Sequence, residues 1–144
     1  MAPYVKYNAF IGNLANKVID FLGNQDTYKA AIHTDAPVAA TDATLADLTQ
    51  IAGSNGYTTG GSDIAFNSTQ TGDTITATAT DVTWTASGGN LGASTTGRYI
   101  SVYDDTPTSP ADPLVCSYDY GSTFTIASGE TLTLDFGASF ATLA

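Results

Sequence analysis

Thr74-Ile75-Thr76-Ala77-Thr78-Ala79-Thr80-Asp81-Val82-Thr83-Trp84-Thr85-Ala86 is the stretch that decides the fold class. Ile75, Ala77 and Ala79 fall on one side of an extended chain, and Val82, Trp84 and Ala86 continue apolar on the opposite parity. Period-two alternation is what a strand with one buried face requires. The phase slips by one residue at Asp81. A one-residue shift turns every later side chain over, so a bulge, corner or strand break is predicted at residues 80–82. Corners of this kind occur where a chain crosses between packed sheets.

The same alternation extends toward the C-terminus. Ser87-Gly88-Gly89-Asn90 ends the first strand, and residues 98–103 form the next. There Ile100 and Val102 share one side while Tyr99 and Tyr103 share the other, which predicts a central strand or one at a subunit contact. Pro107, Pro110 and Pro113 make residues 104–113 a surface loop. Strands are predicted at 114–120, 123–127 and 131–136, with Ser128-Gly129-Glu130 as a tight turn joining the last two.

Toward the N-terminus, residues 28–32 read as a short strand, and Pro37 breaks the chain. Asp42 is the expected cap of a brief helical turn through Leu45 and Leu48 to Ile51. Residues 53–61, rich in glycine, read as a long loop. Before that the period changes. Phe10, Ile11, Leu14, Val18, Phe21 and Leu22 recur at i, i+1, i+4, i+8, i+11 and i+12, one helical stripe with Asn8 as N-cap and Gly23 at its left-handed end. The expectation is one domain over residues 1–144: mainly β, an antiparallel β-sandwich, jelly-roll-like, with a short N-terminal helix at about 8–22. Strand spacing suits a jelly roll and an immunoglobulin-like sandwich about equally.

Composition narrows the function classes. Of 144 residues, 42% are hydrophobic and 12% charged, so threonine, alanine, glycine and serine stand where lysine and glutamate usually would. The net charge is −10, and Lys6, Lys17, Lys29 and Arg98 are the only cations. Neutralising a phosphate backbone or an anionic bilayer needs more, so neither nucleic acid nor membrane is an expected partner. Cys116 is the sole cysteine, which excludes an intrachain disulfide. Met1-Ala2-Pro3-Tyr4 does not read as a secretory signal, so synthesis and folding in a cytoplasm are expected.

No residue set spells out a reaction. His33 and Cys116 would form a nucleophile–base pair only if the fold brought them together, and two such ligands are too few for zinc. Asp119 and Glu130 are the carboxylates to consider for glycosidase chemistry, although turn acids are usually solvated. Asp104, Asp105 and Asp112 lie in one loop but match no EF-hand spacing. Residues 53–61 lack the phosphate-loop pattern, and Asn67-Ser68-Thr69 is a sequon without other support. Trp84, Tyr99, Tyr103, Tyr118 and Tyr120 would stack sugars only if they shared a surface; strand aromatics more often pack in the core. The expectation is a non-enzyme without metal or cofactor.

Several phrases occur together: Ala36-Pro37-Val38-Ala39-Ala40-Thr41-Asp42, Trp84-Thr85-Ala86-Ser87-Gly88-Gly89, Ser109-Pro110-Ala111-Asp112-Pro113-Leu114, Asp119-Tyr120-Gly121 and the closing Ala127-Ser128-Gly129-Glu130-Thr131-Leu132-Thr133-Leu134-Asp135-Phe136. In this order they resemble small virion proteins of tailed bacteriophages, over nearly the whole chain. The resemblance implies a capsid decoration, or cement, protein on the outside of the head. Its implied partners are the major capsid protein and other copies of itself, as a dimer or trimer. Lys6, Phe10, Leu14 and Lys17 are then candidate docking residues, with Tyr99 and Tyr103 as further contact candidates. Two alternatives follow from the residues: a tail or head-fibre module binding host-surface glycans, and an enzyme acting on cell-wall polymers through Asp119 and Glu130.

Overall fold

A computed structural model describes residues 4–22 and 26–143. Among these, the strands are β1 (Tyr4–Lys6), β2 (Tyr28–His33), β3 (Ser62–Ile64), β4 (Phe66–Thr71), β5 (Thr74–Ala79), β6 (Val82–Thr85), β7 (Gly97–Asp104), β8 (Leu114–Phe124), β9 (Thr131–Leu134) and β10 (Ala141–Leu143). One helix, α1 (Asn8–Ala15), follows β1. The protein is mainly β, 43% strand and 10% helix, with antiparallel sheets that do not close into a barrel.

At the phase slip the chain changes sheet. β5 lies between β4 and β10 in a three-stranded sheet, whereas β6 pairs with β9 in a separate two-stranded one. The break falls at Thr80 and Asp81, and the Asp81 carboxylate accepts a hydrogen bond from the Phe136 amide at 3.0 Å. On the new parity Val82 and Trp84 are buried, as Ala77 was on the old one.

The third sheet has the order β1-β8-β7-β2-β3, so β7 is central, as its two-sided apolar pattern requires. Ile100 and Val102 enter the main core, together with Tyr28, Ala30 and Ile32 of β2 and side chains of both smaller sheets. Tyr103, Ala31 and Leu114 face the other way, beneath Tyr7, Leu45 and Leu48. Each large apolar side chain so enclosed contributes about 1.5–3 kcal/mol. A register shift between Val102↔Cys116 and Tyr103↔Leu114 leaves Val115 as the extra residue of a bulge. It sends Val115 and Cys116 both into the main core and returns Leu114 to the opposite face.

Several local expectations are corrected. The helix stops at Ala15 rather than near Leu22, and its N-cap is Tyr7, so Asn8 is already helical. Gly23 lies outside the described residues. Lys17 takes the left-handed position (φ 57°), with its amide on the Leu14 carbonyl at 3.2 Å and the Val18 amide on the Asn13 carbonyl at 2.9 Å. This bond pair is the Schellman ending, in which glycine is the usual occupant. Lys17→Gly is therefore expected to raise stability by up to about 1 kcal/mol, read as a higher denaturant midpoint at unchanged slope.

The turn after Pro37 is a short 3-10 segment, Leu45–Asp47, and Thr44 with Asp47 forms its capping box. Asp42 instead accepts the Val38 amide at 2.7 Å. Residues 114–124 form one strand, and β9 pairs with β6 rather than with it. The turn at Ser128-Gly129-Glu130 does exist, with the Glu130 amide on the Ala127 carbonyl at 2.8 Å. Its own bonds run to Ala86, because alternation predicts which face a strand buries but not its neighbour.

Candidate interaction surface

The early end of α1 shapes the surface beside it. After Lys17 the chain folds back, burying Ile19 and Phe21 while Leu22 stays 42% exposed. Leu14, Lys17, Asp20, Phe21 and Leu22, with Ile75 of β5 and Leu143 of β10, line a mainly apolar groove of about 460 Å³. A second groove, of about 420 Å³, is lined by Lys6, Phe10, Tyr118, Phe136, Phe140 and again Leu143. β10 therefore borders both, and it is the terminal strand of its sheet.

Charge singles out the same place. Lys29 binds Asp105 at 2.7 Å, and Arg98 forks onto Asp119 with two bonds of 2.8 Å. Lys6 and Lys17 make no ion pair among the described residues, and one lines each groove. Both cations not engaged elsewhere thus stand on apolar concavities of a strongly acidic chain.

The six candidate docking residues do not all meet there. Lys6 and Lys17 are exposed and Leu14 half-buried on the grooves, as a docking role requires. Phe10 is 2% exposed and packs edge-on against Phe21, ring centroids 5.6 Å apart. Tyr103 is 1% exposed, with its hydroxyl on the Gly60 carbonyl at 2.6 Å. These two aromatics belong chiefly to the chain's own core, because the positions they occupy face packed layers. Tyr99 is half-buried on a separate, smaller groove, where its ring stacks on His33 at 5.5 Å. Ile75 and Leu143 were missed as groove residues. Leu143 carries no sequence signal for this, since its exposure depends on which sheet β10 joins.

A buried polar chain runs behind Tyr99. The Ser101 hydroxyl contacts the Tyr7 hydroxyl at 2.9 Å and His33 Nε2 at 2.8 Å, while His33 Nδ1 meets the Asp35 carbonyl at 2.9 Å. The order of groups imitates a serine–histidine–acid array. Ser101 and His33 are nevertheless wholly enclosed, so the chain pins the start of α1 to the central strand. Burial lowers the His33 pKa, with Asp35 opposing. Cys116 faces the main core, where burial pushes its thiol pKa up, so it does not meet His33.

The carboxylates disperse likewise. Hydrogen bonds from Arg98, with help from the Gly121 amide, hold Asp119 down at about 2. Glu130 accepts the Ala127 amide at 2.8 Å within its turn. Asp105 turns out to Lys29, whereas Asp104 turns inward and is fully buried. Asp104 Oδ1 accepts the Thr106 amide at 3.0 Å, but among the described residues Oδ2 finds no hydrogen-bond partner. Among the described residues no three His, Cys, Asp or Glu side chains converge to hold a metal ion. Trp84 and Tyr103 are buried in different clusters, so the five strand aromatics share no platform.

No family model, curated protein or solved structure matches the chain.

Proposed function

We propose that this chain is a non-enzymatic bacteriophage decoration protein, which binds the outside of an assembled head across neighbouring major capsid subunits. One observation supports the reading most: Lys6 and Lys17, without ion-pair partners among the described residues, stand on paired apolar grooves beside β10. Apolar grooves with a cation in each suit an acidic, partly apolar partner surface. The remaining acidity keeps free copies apart and soluble at high copy number.

The finer architecture belongs to the same proposal. The five-stranded sheet forms one layer of a jelly-roll-like sandwich and the two smaller sheets the other, joined by the crossing at Asp81. One hydrophobic cluster drawing on all three sheets supports it. Such a rigid body, repeated as a dimer or trimer on the lattice, acts by mass action. It binds assembled shell and not dissociated subunits, and stabilises the shell by that difference.

The test is reconstitution on heads stripped of the protein. Lys6→Glu combined with Lys17→Glu is expected to weaken particle binding at least tenfold while leaving the unfolding midpoint of the free chain nearly unchanged. Phe10→Ser is expected to unfold the free chain instead. Undiminished binding by the double variant would refute docking through the grooves. Binding to host-surface glycans rather than to heads would favour a fibre module.

A further inference from the structure

β10 leaves one edge open where the two larger grooves meet. In the sheet order β10-β5-β4 it is terminal, so among the described residues only β5 pairs with it. The direction of its backbone groups follows from the ladder. The Thr80 amide bonds the Ala65 carbonyl at 2.9 Å, and two-residue alternation then turns the backbone of Thr74, Thr76 and Thr78 toward β4. Ile75 and Ala77 turn toward β10, where the Ala77 carbonyl accepts the Phe140 amide at 2.8 Å. Their register partners are Leu143 and Ala141, so the amide and carbonyl of Thr142, between them, point away from β5.

The surface beside that edge is apolar. All of β10 lines the second groove, with the rings of Phe10, Tyr118, Phe136 and Phe140, and Leu143 continues into the first. Lys6, also on the second groove, ends β1, which is the terminal strand of the five-stranded sheet. That groove therefore opens beside the free edges of two sheets. The opposite edge of the smaller sheet offers nothing similar: β4 exposes Asn67, Thr69, Gln70 and Thr71 and borders neither groove.

We propose that β10 is a strand-addition site, where an extended acidic segment of a partner protein pairs with the edge at Thr142 and sets its apolar side chains into the two grooves. Main-chain bonds to the edge supply affinity, and the grooves select the side chains. Successive residues of an extended segment point to opposite faces, so every second position is required to be apolar. Charge sets the sign of the rest. Lys6 is the only charged residue on the second groove among the described residues, whereas the first holds both Lys17 and Asp20. Lys6 therefore carries most of the preference for an acidic segment. The same charges count against a second copy, because a two-fold contact would set this patch against itself, lysines toward lysines. A three-residue edge is also short enough to discourage pairing between copies. The proposal rests on the grooves being a docking face, as in the reading above, but not on the partner being a capsid.

Titration of the free chain with a fluorescently labelled peptide of alternating valine and glutamate tests it. Saturable binding is expected, and N-methylation of the peptide's backbone amides is expected to weaken it at least tenfold. Thr142→Pro removes the outward amide of β10 and keeps the bonds to β5, since proline is tolerated on an outer strand edge. It is expected to weaken peptide binding at least tenfold with the urea midpoint nearly unchanged, and Lys6→Glu to weaken it more than Lys17→Glu. Should Thr142→Pro fail to fold, the N-methylated peptide against the parent chain still reads the edge bonds. Undiminished binding of the N-methylated peptide overturns strand addition, as does the absence of saturable binding by the parent. A dimer of the free chain that Thr142→Pro turns into a monomer would make a second copy the occupant, and also overturns it. Peptide binding by a chain that ignores heads would uphold strand addition and refute the head reading; the reverse pattern does the opposite.

Discussion

Gly61→Ala is expected to abolish cooperative folding at ordinary temperature. Gly61 has φ +80°, and a Cβ there would stand 1.8 Å from the Ala30 carbonyl oxygen, 2.6 Å from its carbon and 2.9 Å from Ala31 Cα. All three are backbone atoms of β2, so no side-chain rotation relieves the contact. β2 itself is fixed, with β3 paired on one edge and six residues registered against β7 on the other. The left-handed conformation adds about 1–2 kcal/mol for any residue with a Cβ. A total above about 4 kcal/mol is a large part of the roughly 5–15 kcal/mol that holds a domain together. Gly72→Ala is the control: it has φ +64° but open space around it, so about 1 kcal/mol is expected. Chemical denaturation of both variants decides the matter. A Gly61→Ala midpoint close to that of Gly72→Ala would mean the 60–62 turn relaxes away from β2.

Ser101→Ala should be the costliest small polar substitution. Its hydroxyl joins Tyr7 to His33, and all three side chains are enclosed. Tyr7 retains Ser117 as a neighbour, but His33 Nε2 loses its partner inside the protein. An unsatisfied buried donor or acceptor costs about 1–3 kcal/mol, and the lost bond adds to it. A loss of about 2–4 kcal/mol is expected at pH 8, where the imidazole is neutral in both states. The parent carries its own pH dependence here. Because burial depresses the folded-state value below 6.5, the unfolded chain takes up a proton that the native state refuses. The His33 contribution is therefore complete above pH 6.5 and drains away as pH falls toward the native value. Urea midpoints at pH 8 and pH 5 measure both effects; a Ser101→Ala loss below about 0.5 kcal/mol would show that His33 finds another partner.

Much of the architecture was legible because alternation is a local signal. The parity change at Asp81 announced the sheet crossing, and the two-sided apolar run from Tyr99 to Tyr103 announced a central strand. Strand partners were less accessible. The turn at Ser128-Gly129-Glu130 reads as a hairpin, yet β9 lies against β6, forty-six residues or more away, because long-range packing chose the neighbour. The helix was overread for a related reason: the apolar stripe continues past Lys17, but the chain follows the same core in a non-helical path. At the grooves, Lys6, Leu14 and Lys17 were legible from charge and period. Leu143 was not, since its placement follows from β10 joining β5. Asp104 was misassigned to an exposed loop; a single aspartate after Tyr103 carries no hint that its side chain turns inward.

The two-residue tip of the β4–β5 hairpin has a practical reach. Gly72 and Asp73 are exposed and flanked by Thr71↔Thr74 pairing, and a side chain at Gly72 would meet open space. Foreign peptides grafted at this site would extend into solvent without touching either hydrophobic cluster, and each doubling of the insert would cost only about 0.6 kcal/mol in chain closure. That makes the hairpin a natural mounting point for a grafted peptide.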